Sequence, residues 1–85
     1  MIRCKYVISN RQGLHAANAL SLSRASAEYK SRITLISAEK KADCKNVLAL
    51  MSLGAGIGET LILEIEGPDE EQAAGLLKGL FRTIL

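Results

Sequence analysis

Hydrophobic and polar positions alternate strictly at the start of the chain. Ile2, Cys4, Tyr6 and Ile8 fall on one side of an extended segment, and Arg3 and Lys5 fall on the other. This period-two pattern predicts a half-buried strand. Ser9 to Gly13 is polar and predicts a loop, with Gly13 free to take a backbone conformation that other residues resist. From Ala16 to about Glu28 the chain is rich in Ala, Leu and Ser, and Ala and Leu favour helix. Ala16, Ala19/Leu20, Ser23 and Ala27 recur at three-to-four spacing, which predicts a face of small side chains lying close to a sheet. Tyr29-Lys30-Ser31 leads into Arg32 to Ser37, a β-branched run that predicts a second strand. Ala38-Glu39-Lys40 predicts a tight turn. Lys41 to Cys44 predicts a short polar edge strand, whose charge guards that edge against pairing with other chains.

Asn46 is placed to cap a short helix over Val47 to Leu53, and Gly54 stands just past its end. Gly54-Ala55-Gly56-Ile57-Gly58 alternates glycine but follows a helix and does not match GxGxxG. It predicts a flexible connector rather than a dinucleotide loop. Thr60 to Glu66 predicts the fourth strand, with Leu61, Leu63 and Ile65 on the buried face and Glu64 and Glu66 on the solvated one. Gly67-Pro68-Asp69 interrupts the chain. Asp69, Glu70 and Glu71 then put negative charge in the first turn of a last helix, where the dipole favours it. Its apolar face is Ala73, Leu76/Leu77, Leu80/Phe81 and Ile84. The order β-α-β-β-α-β-α, without internal repeats, predicts an α+β fold in which helices cover one face of a mostly antiparallel sheet.

Composition narrows this picture. At 85 residues the chain is expected to form one domain. Hydrophobic residues make up 48% and aromatic ones 4%, with no tryptophan. The core must therefore be aliphatic, and nucleic-acid binding by stacked bases is disfavoured. The net charge of +2 is also too small to suggest a nucleic-acid partner. Residues 1–45 hold nine basic and three acidic groups, whereas residues 46–85 hold two and six. Two readings fit: scattered solvated charge, or a basic N-terminal surface that receives an acidic or phosphorylated partner. Cys4 and Cys44 form no CxxC pair, and one histidine cannot complete a usual zinc set with them, so no metal site is expected. They read as buried reduced thiols of a cytosolic protein. No apolar run reaches the roughly 18 residues of a membrane span, and the charged N-terminus is unlike a signal peptide.

The candidate chemistry lies in Arg11-Gln12-Gly13-Leu14-His15-Ala16-Ala17-Asn18, which contains the only histidine. The plain reading is that His15 is an ordinary helix-capping or loop residue. The functional reading starts from its place at a helix start, where a neutral imidazole lies beside unpaired backbone N–H groups. Those groups and the dipole would stabilise a phosphate or other anion carried on the ring, and histidine forms covalent intermediates. Serine-histidine-acid hydrolysis finds no GxSxG to support it. Glu64 and Glu66 are better explained by a solvated strand face than by a catalytic pair.

Gly13-Leu14-His15-Ala16, followed by Met51-Ser52-Leu53-Gly54 and by Gly67 to Glu71 leading into an amphipathic helix, resembles the HPr phosphocarrier family of the bacterial phosphotransferase system. The length and element order agree along nearly the whole chain. The resemblance implies an open-faced sandwich, with a four-stranded antiparallel sheet covered on one face by three helices. It implies that His15 takes a phosphoryl group on Nδ1 from the first enzyme of the system, charged by phosphoenolpyruvate. The group would then pass to a sugar-specific or regulatory acceptor protein. The chain would be a substrate of other proteins rather than a self-sufficient enzyme, and a cytoplasmic monomer that needs no cofactor. Residues around the phosphoryl group would be Ala16, Ala17, Asn18 and, from the preceding loop, Arg11. Docking would use Leu20, Arg24, Val47, Leu48 and Met51, for which plain core packing is the other reading.

The chain departs from the family pattern at three places. After His-Ala the family has Arg-Pro, where Ala17 and Asn18 stand here. Many Gram-positive relatives carry a kinase-phosphorylated serine where Asn46 stands; asparagine keeps the helix cap and offers no hydroxyl. The first departure also allows a regulatory binding module that keeps the fold with weak phosphotransfer or none.

Overall fold

In the computed structural model, which describes residues 1–85, the chain runs through β1 (Ile2–Val7), α1 (Ala16–Ala27), β2 (Arg32–Ser37), β3 (Lys40–Asp43), α2 (Val47–Ser52), β4 (Thr60–Glu66) and α3 (Glu70–Ile84). The four strands form one antiparallel sheet in the order β1-β4-β2-β3, with the three helices on one face. The expected order and layering hold throughout.

The period-two pattern decides which face the helices cover. Leu63 lies opposite Cys4 on β1 and Leu35 on β2, and Leu35 lies opposite Ala42 on β3. Ile65 likewise lies between Ile2 and Ile33. These rows of aliphatic side chains share the inner face. Ile33, Leu35, Leu61, Leu63 and Ile65 on it are fully buried, each contributing about 1.5–3 kcal/mol relative to exposure. Leu22 of α1, Leu50 of α2, and Leu77 and Phe81 of α3 complete the core. Tyr6 packs on Phe81 with ring centroids 4.8 Å apart. The outer face carries Arg3 and Glu64, paired at 3.4 Å. The polar β3 is an edge strand, as its charge predicts, and β1 is the other edge.

Two helices present different faces from those expected. α1 buries Asn18, Ala19, Leu22 and Ser26, whereas Ala16, Leu20 and Ala27 are exposed. Ala and Ser surround this helix on all sides, so no apolar stripe marks its inner face. The face is chosen by Leu22, which fills the core, and by α1 lying alongside α2 and α3. α3 buries Ala73, Ala74, Leu77 and Phe81 and leaves Leu76 49% exposed. Its buried stripe is therefore narrower than the sequence pattern. Both thiols are free. Cys44 is buried, and burial, with Asp43 beside it and the Ser26 hydroxyl acting in opposition, pushes its pKa up to about 12. Cys4 is half-buried.

The far end of the molecule is tied by Asp69. Its carboxylate does not cap α3. It accepts instead from Lys30 N at 2.8 Å, from Ser31 N at 2.9 Å and from the Ser31 hydroxyl, joining the turn before β2 to the turn before α3. The Ser31 hydroxyl and these two backbone N–H groups hold the Asp69 carboxyl below its ordinary pKa. A lowered folded-state pKa gives stability that is present above the ordinary carboxylate range and lost as pH falls through the folded value. Asp69→Asn should therefore lower the urea midpoint at neutral pH and flatten its decline below about pH 4. Unchanged acid sensitivity in the variant would show that the carboxylate has no such role.

Candidate functional site

His15 is the N-cap of α1, with extended backbone at φ −104° and ψ 176°. Its ring turns back over the helix, so that Ala17 N–H donates to Nδ1 at 3.2 Å. A neutral imidazole that accepts at Nδ1 carries its proton on Nε2. The first intrahelical bond runs from Ala19 N to His15 O at 2.9 Å. The N–H groups of Ala16 and Asn18 are thus open donors of the first turn, and that of Ala17 is held by Nδ1. They stand beside the one ring nitrogen whose lone pair faces the helix. An anion on Nδ1 would meet these donors and the positive end of the dipole.

Four sets of contacts hold the loop before His15. Gly13 has φ +64°, a region costly for residues with a Cβ, and its N–H donates to Asn10 O at 2.9 Å. A Cβ on Gly13 would lie 2.4 Å from Ala55 O. This close approach lets Leu14 N–H donate to Ala55 O at 2.9 Å. Asn18 Nδ2 donates to Gly13 O at 3.0 Å. Leu85 O accepts from Ser9 N at 2.7 Å, from Asn10 N at 3.0 Å and from the Ser9 hydroxyl at 2.9 Å, while Asn10 Nδ2 donates to Ile84 O at 3.1 Å. The end of α3 thereby anchors the loop. A groove of about 250 Å³ opens here between His15, Ala17, Asn18 and Ser21 on one side and Asn10, Thr83 and Ile84 on the other. No charged side chain lines it.

The structure brings some of the sequence-nominated residues together and separates others. Ala16 and Ala17 are exposed in the first turn and bring only backbone donors and small side chains. Asn18 is 4% exposed, and its side-chain donor goes to Gly13 O. Arg11 sits in the exposed turn ahead of Gly13, outside the groove, with no side-chain hydrogen bond or ion pair. Arg24 is exposed in the second half of α1, roughly 13 Å along the axis from His15. Leu20, Leu48 and Met51 are 42%, 71% and 44% exposed on the neighbouring helices α1 and α2. Val47 instead packs partly against the core. Asn46 caps α2 as expected, Oδ1 accepting from Ala49 N at 3.1 Å. A larger polar groove of about 600 Å³ lies beyond the other end of α1, around Lys30, Arg32, Asp43, Lys45 and Glu66, and contains no histidine.

Asn10, Ala55 and the last two residues also surround the His15 loop, and no motif in the sequence marks them. Ala55 corrects the picture of a flexible connector. It is 3% exposed, its carbonyl braces Leu14, and Gly58 N–H donates to Ile8 O at 2.8 Å. The only local sign of Asn10 was its residue type: its Oδ1 accepts from Gln12 N at 2.9 Å, a turn that asparagine favours.

The chain matches a family model described as the PTS HPr component phosphorylation site over residues 2–83. It is 34% identical over 80 residues to the phosphocarrier protein HPr of Cupriavidus necator, covering 94% of this chain and 90% of that protein. Among solved structures, it is similar to the histidine-containing phosphocarrier protein of Mycoplasma. There the TM-score is 0.91 at 26% identity, with 93% of this chain and 90% of that one covered. It is also similar to Crh of Bacillus subtilis, solved as a dimer with a swapping domain. That comparison has a TM-score of 0.76 at 26% identity and covers 100% and 98% of the two chains.

Proposed function

The chain belongs to the HPr family of the phosphotransferase system and is a phosphocarrier of that system; from that premise we propose that His15 Nδ1 is the atom that carries the phosphoryl group. The observation that carries this reading is the direction of the Nδ1 lone pair, toward the open first turn of α1. In the transfer, that lone pair forms the N–P bond as the bond from phosphorus to the donor breaks. The leaving electron pair stays with the donor, and Nε2 keeps its proton. Ala17 N–H leaves Nδ1 as the N–P bond forms, and with the N–H groups of Ala16 and Asn18 it then faces the phosphoryl oxygens, as electrostatic stabilisation of transferred phosphoryl groups requires.

The donor is the phosphoenolpyruvate-charged first enzyme, and the recipient is a sugar-specific or regulatory acceptor protein. Both dock on the exposed apolar side chains of Leu20, Leu48 and Met51, with Arg24 at the rim. Residues 1–85 act as one domain, as a cytoplasmic monomer.

The test is to incubate the protein with phosphoenolpyruvate and the first enzyme of its own organism. An acid-labile mass gain of one phosphoryl group is expected in the wild type and none in His15→Ala. No gain in the wild type, under conditions that charge an ordinary relative, would overturn the reading. The absence of a cation from the groove favours a second reading, a regulatory module with slow phosphotransfer. Ala17→Arg restores charge there and should raise the phosphorylation rate by about tenfold or more, since a charge-assisted contact is worth roughly 1.5–3 kcal/mol. Partner binding that survives His15→Ala, in a wild type that charges poorly, would support the second reading.

A further inference from the structure

Asn18 occupies the third position of α1, where its own backbone N–H is an open donor. Its side chain turns away from that end. It is 4% exposed, and Nδ2 donates to Gly13 O at 3.0 Å. The bond closes a ring in the chain that contains Leu14, His15, Ala16 and Ala17. The Ala17 N–H to His15 Nδ1 bond lies inside that ring. The arrangement is a poor solution for stability alone. Asn18 Oδ1 is buried with no protein partner, and an unpaired buried acceptor is costly. Asparagine is also a weak helix former. A leucine of similar size would avoid both costs. What leucine cannot do is donate to Gly13 O.

We propose that Asn18 is a positioning residue for His15. By tying Gly13 O to the first turn of α1, its amide fixes the backbone on both sides of His15. It thereby holds the ring in the orientation where Nδ1 accepts from Ala17 N–H and Nε2 carries the proton. This proposal rests on the reading of His15 as the phosphoryl acceptor, and it assigns Asn18 a role through Gly13 rather than at the phosphoryl group. The clamp complements the other loop tethers. Leu85 and Ala55 hold the loop to the body of the fold, whereas Asn18 alone ties it with a side chain to the helix whose N-terminus the ring must face. A misplacement of about 1 Å at a reacting atom can cost up to 10²-fold in rate, so a loosened ring should be visible in kinetics.

The experiment compares the wild type with Asn18→Leu and Asn18→Asp, each as the full ¹⁵N-labelled chain. The ring nitrogens of His15 are read by NMR near pH 9, where imidazole is neutral. The wild type should show one dominant Nε2–H tautomer. In Asn18→Leu the two ring shifts should move toward the average of both tautomers. The phosphorylation rate should fall about tenfold with little change in KM for the charged first enzyme, because the docking side chains are untouched. The melting temperature should stay within about 5 °C, because losing the bond to Gly13 O is offset by removing the orphaned Oδ1. Asn18→Asp tests the lost donor without a change of shape. Aspartate keeps the size of the side chain yet cannot donate to Gly13 O, so the same tautomer averaging is expected in whatever fraction is folded, which the melting curve reads. Wild-type ring shifts in both variants would overturn the proposal, as would a wild-type phosphorylation rate in Asn18→Leu. The ring shifts need no phosphoryl donor. A wild type that failed to charge would sink the carrier reading and leave the positioning result standing.

Discussion

Gly13→Ala should lower the melting temperature by about 10–40 °C and slow charging of His15 severely. Two costs coincide at this position. A Cβ at φ +64° costs about 1–2 kcal/mol by its backbone conformation. The same Cβ would lie 2.4 Å from Ala55 O and 2.8 Å from Gly56 Cα, both backbone atoms that no rotamer change can move. Overpacking of this kind costs about 1–3 kcal/mol more, and in a domain of this size each kcal/mol shifts the melting temperature by about 4–8 °C. The chain has one way to limit the loss, which is to let the loop lift from Ala55. That relief breaks the Leu14 N–H bond to Ala55 O and frees His15 from its place over α1. Hydrogen exchange at the Leu14 amide should therefore accelerate along with the loss of charging. A variant that melts within about 3 °C of the wild type and charges at the wild-type rate would show that the close approach carries no weight.

Leu48→Glu should raise KM for the charged first enzyme by about 30–1,000-fold while leaving the fold intact. Leu48 is 71% exposed, so its removal takes almost nothing from the core. It lies in the first turn of α2, where a carboxylate interacts favourably with the open N–H groups. Melting should therefore be unchanged or slightly raised. At an interface, by contrast, an apolar anchor replaced by a charge leaves that charge desolvated and its pocket empty, a loss of about 2–4 kcal/mol at a central position. Met51→Glu, at 44% exposure beside it on α2, should act in the same direction. Comparing initial rates at low and saturating protein separates this effect from damage at His15. Docking variants lose rate only at low concentration, whereas Gly13→Ala loses it at both. An unchanged KM in both Leu48→Glu and Met51→Glu would remove α2 from the docking surface.

The amino-acid sequence alone set the elements and the place of its one histidine. β1, β2 and β4 follow from period-two runs, α2 from an asparagine cap with a glycine past its end, and α3 from acidic residues at its start. Each of these signals is local, since it depends on which side chains neighbour one another on a strand or helix. His15 was legible for the same reason, because a glycine before it and helix formers after it place an imidazole at a helix start.

Tertiary structure decided the rest. Nothing local places β4 between β1 and β2, because strand order is a matter of how the chain closes. The inner face of α1 was hidden by a composition of small residues on every side, and only packing showed that Asn18 and Leu22 point inward. The tethers that hold the His15 loop join Leu14 to Ala55, and Ser9 and Asn10 to Leu85, the last across 76 positions for the Ser9 hydroxyl. Backbone carbonyls supply every acceptor in them, and a carbonyl has no residue-type signature. The proposed chemistry of the site therefore rests on one histidine, and its geometry on groups that every residue has and only the fold brings within reach.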